Sequence, residues 1–275
     1  VWPPQPADAQ AARAHSRQAP GLEVRVAAEQ REVLTMSGVI SLKADLAADA
    51  VQDVASSMAR RTEETGPEWP SRRVRSAAMS KRRVVVTGLG IVSPLGNDLD
   101  SSWSGIVNGR SGIAPVTHFD ASAMATWIAG EVKAFDPTLW IPPKDVKKMD
   151  AFIHYGVAAS LMAMRDAGLE VNDGNAERIG ALIGSGIGGI LGIEEQTIRY
   201  HEGGPRKISP FYIPSTIINM LPGHLSLMTG IKGPNFSAVS ACASSNHSIG
   251  TAMRLIQYGD ADAMIVGGAE RGSSP

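Results

Sequence analysis

The sequence predicts a layered α/β protein, a β-sheet with helices on both faces. Three observations carry that prediction. Short apolar runs without polar alternation, such as Val84-Val85-Val86 and Ala263-Met264-Ile265-Val266, read as strands buried on both sides. Between the runs lie stretches with apolar residues at helical spacing, notably Ile153, Val157, Leu161 and Met164. Glycine and proline mark the boundaries, as at Pro94-Leu95-Gly96-Asn97 and Gly168. The chain has 275 residues, 43% hydrophobic and 19% charged, a soluble globular composition with room for one large or two ordinary domains.

Residues 1–78 read as a separate leader. Pro, Ala, Gln and Arg dominate there, strand-like runs are nearly absent, and Gly66-Pro67-Glu68-Trp69-Pro70 breaks any helix. The leader is expected to be mostly disordered, with one amphipathic helix over roughly residues 41–60, where Leu46, Ala50, Val51, Val54 and Met58 fall on one face. Organelle-targeting peptides are poor in acids, whereas ten acidic residues here balance ten basic ones, so a targeting role is not expected.

From Lys81 onward the pattern becomes alternating strand and helix. Residues 84–87 are predicted as a buried strand, 98–108 as a helix begun at the Pro94 turn, and 127–132 as a further strand. Residues 150–167 are predicted as a helix stopped by Gly168, then 178–183 as a strand and 189–200 as a helix. Residues 214–228 read as a helix interrupted at Pro222. A short strand at 236–239 leads through small residues into a helix carrying Ile249, Met253, Leu255 and Ile256 and closed by Gly259; residues 263–266 form the last strand.

A formal net charge of −1 gives no basic field to suggest nucleic acid, so an acidic partner must be met by a local patch. No apolar run approaches a membrane span. A single cysteine excludes an internal disulfide framework and fits a reducing, cytoplasmic setting. The six histidines form no H-x-x-x-H pair and none joins the cysteine at zinc spacing, so no metal site is expected.

That cysteine, Cys242, is the candidate nucleophile. It falls where a strand turns into a helix, and the first N–H groups of a helix lack internal partners and carry the positive end of its dipole. Such a setting favours thiolate over thiol. The same N–H groups suit the oxyanion formed when a thioester carbonyl is attacked. His247 is a tempting base, but five helical steps of about 100° turn it some 140° from the cysteine's face, which makes it a structural polar residue. Gly184-Ser185-Gly186-Ile187-Gly188-Gly189 formally satisfies G-x-G-x-x-G, the mark of a dinucleotide-binding oxidoreductase. That fingerprint also needs an acid closing a second strand about 20 positions on, and His201-Glu202-Gly203-Gly204-Pro205 cannot be a central strand. No cofactor-binding residue is therefore assigned.

Val239-Ser240-Ala241-Cys242-Ala243-Ser244-Ser245 resembles the nucleophile loop of the β-ketoacyl-acyl-carrier-protein synthases, the condensing enzymes of fatty-acid synthesis. Four further runs resemble the type II branch of that family: residues 82–90, Lys148-Met149-Asp150-Ala151-Phe152-Ile153, Gly184-Ser185-Gly186-Ile187-Gly188-Gly189, and residues 203–216. The resemblance covers residues 79–275, and Met79-Ser80-Lys81-Arg82-Arg83 is how type II members begin, so Met79 is the expected start. It implies a thiolase-like layered α/β fold, of which this chain carries the N-terminal half. It also implies a 3-oxoacyl-acyl-carrier-protein synthase acting by transfer of an acyl group to Cys242 and decarboxylative Claisen condensation with a malonyl-loaded carrier.

By the same resemblance Ile187 gates the depth of the acyl channel, and Tyr212 approaches the acyl pocket of the partner subunit of a homodimer. Lys144, Lys147, Lys148, Arg206 and Lys207 match positions that dock the acidic acyl carrier protein. No resident cofactor is implied, because phosphopantetheine arrives on the carrier. The family draws two histidines and a lysine for decarboxylation from its second half, and no such motif follows Cys242 here. Ala269-Glu270-Arg271-Gly272-Ser273-Ser274-Pro275 still resembles the family, so the chain reads as cut short, with condensation expected to be absent and a non-catalytic carrier-binding fragment as the alternative.

Overall fold

A computed structural model describes residues 37–44 and 82–274. In chain order the elements are β1 (Ser37–Ala44), β2 (Val84–Val92), α1 (Leu99–Val107), β3 (Ala114–Pro115), β4 (Ile128–Ala129), α2 (Pro143–Val146) and α3 (Ala151–Asp166). There follow β5 (Ile179–Gly184), α4 (Ile190–Gly203), α5 (Tyr212–Thr216), α6 (Met220–Thr229), β6 (Asn235–Phe236), α7 (Ser244–Tyr258) and β7 (Ala263–Gly268).

The main sheet runs β2-β1-β7-β5-β6. β5 lies parallel to both β7 and β6, whereas β1 lies antiparallel to β2 and β7, so β1 alone is reversed. Every residue of β5 and β7 is buried. Their side chains alternate between two cores because helices cover both faces. Ala181, Ile183 and Ile265 meet α3 and α6 through Phe152, Ile153, Val157, Leu221 and Leu225. Leu182, Met264 and Val266 meet α7 through Ala252 and Ile256. Each fully buried large aliphatic or aromatic side chain contributes about 1.5–3 kcal/mol by leaving water.

The helices start and stop for local reasons. Asp98 caps α1, its carboxylate accepting from the Ser101 N–H at 2.7 Å. α3 ends before Gly168, which takes φ +55, and α7 ends at Gly259 with φ +85. β2 lies against the backbone of α3: a Cβ added at Gly88 or Gly90 would meet the carbonyl oxygens of Ala163 and Ala159. Only glycine permits that approach.

At the amino ends of the strands a charged cluster ties three of them together. Arg178, just before β5, donates to both carboxylate oxygens of Asp262 at 2.9 and 3.0 Å, and Arg82, just before β2, donates to the same carboxylate at 2.8 Å. The Arg178 hydrogen bonds, opposed by partial burial and reinforced by Arg82, hold the Asp262 carboxyl down at about 2.

Four expectations need correction. Residues 41–44, assigned to a helix within a disordered leader, belong to β1, because Val39, Ser41 and Leu42 are buried, and Ile40 partly so, between two strands and two helical layers. The rest of that helix lies outside the described residues. The strand expected at 127–132 is only Ile128–Ala129, paired with Ala114–Pro115. The strand expected at 236–239 is Asn235–Phe236, after which Ser237 turns its hydroxyl onto the Ile183 carbonyl at 2.8 Å. The break in the 214–228 helix falls between Thr216 and Met220, and Pro222 sits in the first turn of α6, where its missing N–H costs nothing.

Candidate active site

Cys242 lies in a tight 3₁₀ turn, Ala241–Ala243, that leads directly into α7, and it is exposed. This is the carboxyl end of the parallel strands, where open α/β sheets place their sites. The residue before it, Ala241, takes φ +49, a left-handed conformation that side chains rarely adopt. Small neighbours hold the turn in that shape. The Ser244 hydroxyl accepts from the Ser240 N–H at 2.9 Å and donates to the Ala241 carbonyl at 2.7 Å. The Ser248 hydroxyl in turn reaches the Ser244 carbonyl at 2.8 Å. His247 Nδ1 is hydrogen-bonded to the Ser240 hydroxyl at 2.6 Å, so this histidine braces the loop two residues ahead of the cysteine. The Ala243 N–H is committed to the Ser240 carbonyl at 3.0 Å.

The turn packs against two neighbouring strand ends. At Gly184, the last residue of β5, an added Cβ would stand 2.7 Å from the Ala238 carbonyl oxygen and 3.0 Å from Ser244. Beyond it the backbone of residues 186–188 curls around the Glu270 carboxylate from the end of β7. Glu270 accepts from the N–H groups of Gly186 at 2.6 Å, Ile187 at 2.9 Å and Gly188 at 3.2 Å, and from the Ser185 hydroxyl at 3.2 Å. Successive N–H groups of this kind make an anion-binding nest. The glycine-rich motif therefore cradles an anion, but the anion belongs to the chain itself. After α4 the chain enters the Gly204 turn and no strand follows before β6, so the second half of a dinucleotide fingerprint is missing.

Ile187 projects from this nest with 54% of its surface exposed. Tyr212 opens α5, whose last residue, Thr216, accepts from the Gly189 N–H at 3.0 Å. Ile187 and Tyr212 thus stand on adjoining segments, of which the 186–188 backbone is the one that approaches the Ala241 carbonyl. The five basic residues lie further out. Lys144 and Lys147 are exposed on and just after α2, while Lys148 pairs with Asp145 at 2.7 Å and lies over the Phe211 ring at 5.7 Å. Lys147, Phe211 and Arg199 line one groove of about 410 Å³; Arg199 and Lys207 line the next. Arg206 and Lys207 are exposed in the turn after α4. Among the described residues no group of three possible metal ligands gathers, and no helix is long and apolar enough to cross a membrane.

Sequence reasoning read His247 as a structural polar residue, as its hydrogen bond to Ser240 bears out, but missed Glu270 and the Ser240 and Ser244 hydroxyls that complete the brace. The only signal for Glu270 was an acid directly after a run of small residues at a strand end.

The sequence profile of the β-ketoacyl synthase N-terminal domain matches residues 81–275. The chain is 54% identical over 197 residues to the 3-oxoacyl-[acyl-carrier-protein] synthase 2 of Vibrio cholerae, covering 72% of this chain and 48% of the relative. It is 48% identical over 199 residues to the enzyme of the same name from Synechocystis, with 72% and 48% covered. Among solved structures it resembles the ishigamide ketosynthase/chain length factor, with TM-score 0.63, 30% identity and 69% and 48% of the two chains covered. It also resembles a ketosynthase solved in complex with its type II polyketide acyl-carrier protein, with TM-score 0.58, 27% identity and 70% and 51% covered. The chain spans about half the length of the curated relatives it matches. The profile covers well over half of the chain, and the chain therefore belongs to the β-ketoacyl synthase family, whose N-terminal domain occupies residues 81–275.

Proposed function

We propose that Cys242 is the acyl-accepting nucleophile of a 3-oxoacyl-acyl-carrier-protein synthase of fatty-acid elongation, working in the cytoplasm. The observation that carries this reading is an exposed thiol on a braced, positive-φ turn at the carboxyl ends of parallel strands. In the first step Sγ attacks the thioester carbonyl of an acyl carrier protein. A carbon–sulfur bond forms, the carbonyl oxygen becomes an oxyanion, and its collapse expels the carrier's phosphopantetheine thiolate, which takes up a proton. The N–H of Cys242 itself is the donor this turn offers to the oxyanion. In the second step a malonyl carrier loses carbon dioxide, its enolate carbon attacks the acyl group, and the Cys242 thiolate leaves.

Ile187 and Tyr212 flank the acyl group in this reading, with Tyr212 also facing the partner subunit of a homodimer. Lys144, Lys147, Lys148, Arg206 and Lys207 receive the carrier. Clustered exposed cations raise the encounter rate with an acidic partner in a salt-dependent way. No resident cofactor is required, since the phosphopantetheine comes with the carrier.

The decarboxylation step needs a polarising group beside the malonyl carboxylate. His247 is already tied to Ser240, so these 275 residues are expected to carry out acylation and not condensation. Intact mass after incubation with an acyl carrier thioester tests this. The expected result is one added acyl group that maps to Cys242 and is absent in Cys242→Ala. An unmodified Cys242 on a chain shown to be folded would overturn the reading, and carrier binding retained by Cys242→Ala without any acylation of the wild type would favour a binding fragment instead.

A further inference from the structure

The three lysines of the segment after Pro143 are not equivalent. Lys148 donates to the Asp145 carboxylate at 2.7 Å and holds its ammonium over the Phe211 ring at 5.7 Å. Lys144 and Lys147 lie exposed on the same segment and make no ion pair with any described residue. Residues 144–148 therefore present two net positive charges rather than three, and the missing one is cancelled from within.

The pair is placed so that an outside carboxylate can exchange with it. The Lys148 side chain is 39% exposed and that of Asp145 28%, so the ammonium can be reached from solvent while the pair is intact. The backbone beneath does not have to move. The Pro142 carbonyl accepts from the Asp145 N–H at 2.8 Å, and the Asp145 carbonyl from the Lys148 N–H at 2.9 Å. From α3, His154 Nε2 is hydrogen-bonded to the Val146 carbonyl at 3.0 Å, which anchors the segment to the core. Exchange thus asks only two side chains to rotate, a motion of picoseconds to nanoseconds at an exposed site. The Lys148 hydrogen bond also holds the Asp145 carboxyl below the ordinary carboxylate range, so the competitor is ionised at neutral pH.

We propose that Asp145 is an internal counterion of Lys148, displaced by a carboxylate of the acyl carrier protein on docking and paired again as the carrier departs. This inference rests on the carrier-docking reading of Lys148 given above. Each docking event gives up one ion pair within the chain for one with the carrier, so the net gain at Lys148 is a difference between two similar terms. Asp145 is in this sense a positioning residue: it acts through Lys148 and sets how long the carrier is held. A synthase that must trade an acyl-loaded carrier for a malonyl-loaded one needs release as much as capture. The Phe211 ring keeps the ammonium in place during the exchange.

Binding of acyl carrier protein, carrying its phosphopantetheine, to the full chain tests this by immobilised-partner kinetics at about 50 mM salt. Asp145→Asn keeps the shape and removes the charge. It should bind about two- to fivefold tighter, chiefly through slower release, and the gain should vanish towards about 0.5 M salt. Asp145→Glu, which restores a carboxylate, should behave as wild type. In a Lys148→Met background, Asp145→Asn should leave the release rate within about 1.5-fold, because the group it competes for is gone. Unchanged or weaker binding by Asp145→Asn, or equal slowing of release with and without Lys148, overturns the inference while a binding loss in Lys148→Met leaves the docking reading standing. Carrier binding that is absent, or indifferent to Lys148→Met, overturns the docking reading and the inference with it.

Discussion

The two ends of the same parallel strands are held by opposite means. At the amino ends, Arg82, Arg178 and Asp262 join the strands by formal charge, and the Asp262 side chain is 45% exposed. At the carboxyl ends, the negative charge of Glu270 is held by three backbone N–H groups and a hydroxyl, and the cysteine turn by serine hydroxyls. Water can replace an exposed ion partner with little loss, so the charged end fixes strand ends without fixing geometry. Backbone donors accept no such replacement unless the loop moves, because their directions are set by φ and ψ. The end that carries the nucleophile is therefore the geometrically rigid one, and both ends can be tested by removing one acceptor or donor.

The largest effect is expected at the rigid end. Glu270→Ala strips the acceptor from the N–H groups of Gly186, Ile187 and Gly188 and should lower unfolding stability by about 2–4 kcal/mol in denaturant titrations. Because an added Cβ at Gly186 would lie 3.5 Å from the Ala241 carbonyl, loosening the nest should reach the cysteine turn and slow acylation of Cys242 at least about tenfold. Glu270→Gln, keeping one acceptor oxygen, should fall between. Full acylation rate in the alanine variant would show that the nest and the nucleophile are mechanically independent.

At the charged end Arg178→Ala is expected to cost no more than about 1 kcal/mol at neutral pH, since the pair is half-exposed. Its pH dependence has a definite sign. The Asp262 carboxyl titrates at about 2 in the folded protein against an ordinary 3.8, so the stability it confers is complete above 3.8 and is lost as pH falls towards 2. The gap between wild type and variant should be flat near neutrality and close between about pH 4 and pH 2. A gap of equal size at pH 2.5 and pH 7 would assign the effect to packing of the arginine stem instead of charge. Acylation of Cys242 should not change, which separates this end from the other.

How much of this was legible follows from how local each signal is. The helices α1, α3 and α7 and the strands β5 and β7 were readable because Asp98, Gly168, Gly259 and the apolar runs act within a few residues of the element they define. Cys242 was readable because its strand, small residues and helix are contiguous. β1 was not, because a strand buried on both faces does not alternate, and its partners lie some 45 and 225 residues away in sequence. The apolar spacing from Leu46 onward offered a helix instead. Glu270 escaped for the same reason: its partners are more than 80 residues distant, and nothing beside it marks an anion nest. The basic residues were found through resemblance, and their scatter over α2 and the Gly204 turn shows why spacing alone did not group them.

The smallest expected effect on stability lies in the turn itself. Ala241 holds φ +49, which costs an L-residue about 1–2 kcal/mol that glycine avoids. Ala241→Gly removes that cost but adds backbone freedom to the unfolded chain, a penalty of about 0.5–1 kcal/mol. The two nearly cancel, so melting should shift little and in the stabilising direction if at all. Acylation is expected to behave differently. A glycine at 241 lets the turn sample both signs of φ, the Ser244 hydroxyl loses its fixed carbonyl partner, and Cys242 spends less time aligned for attack. A several-fold slower acylation at unchanged stability would show that the left-handed residue positions the thiol. Equal rates in the two proteins would mean that the Ser244 and His247 brace suffices without it.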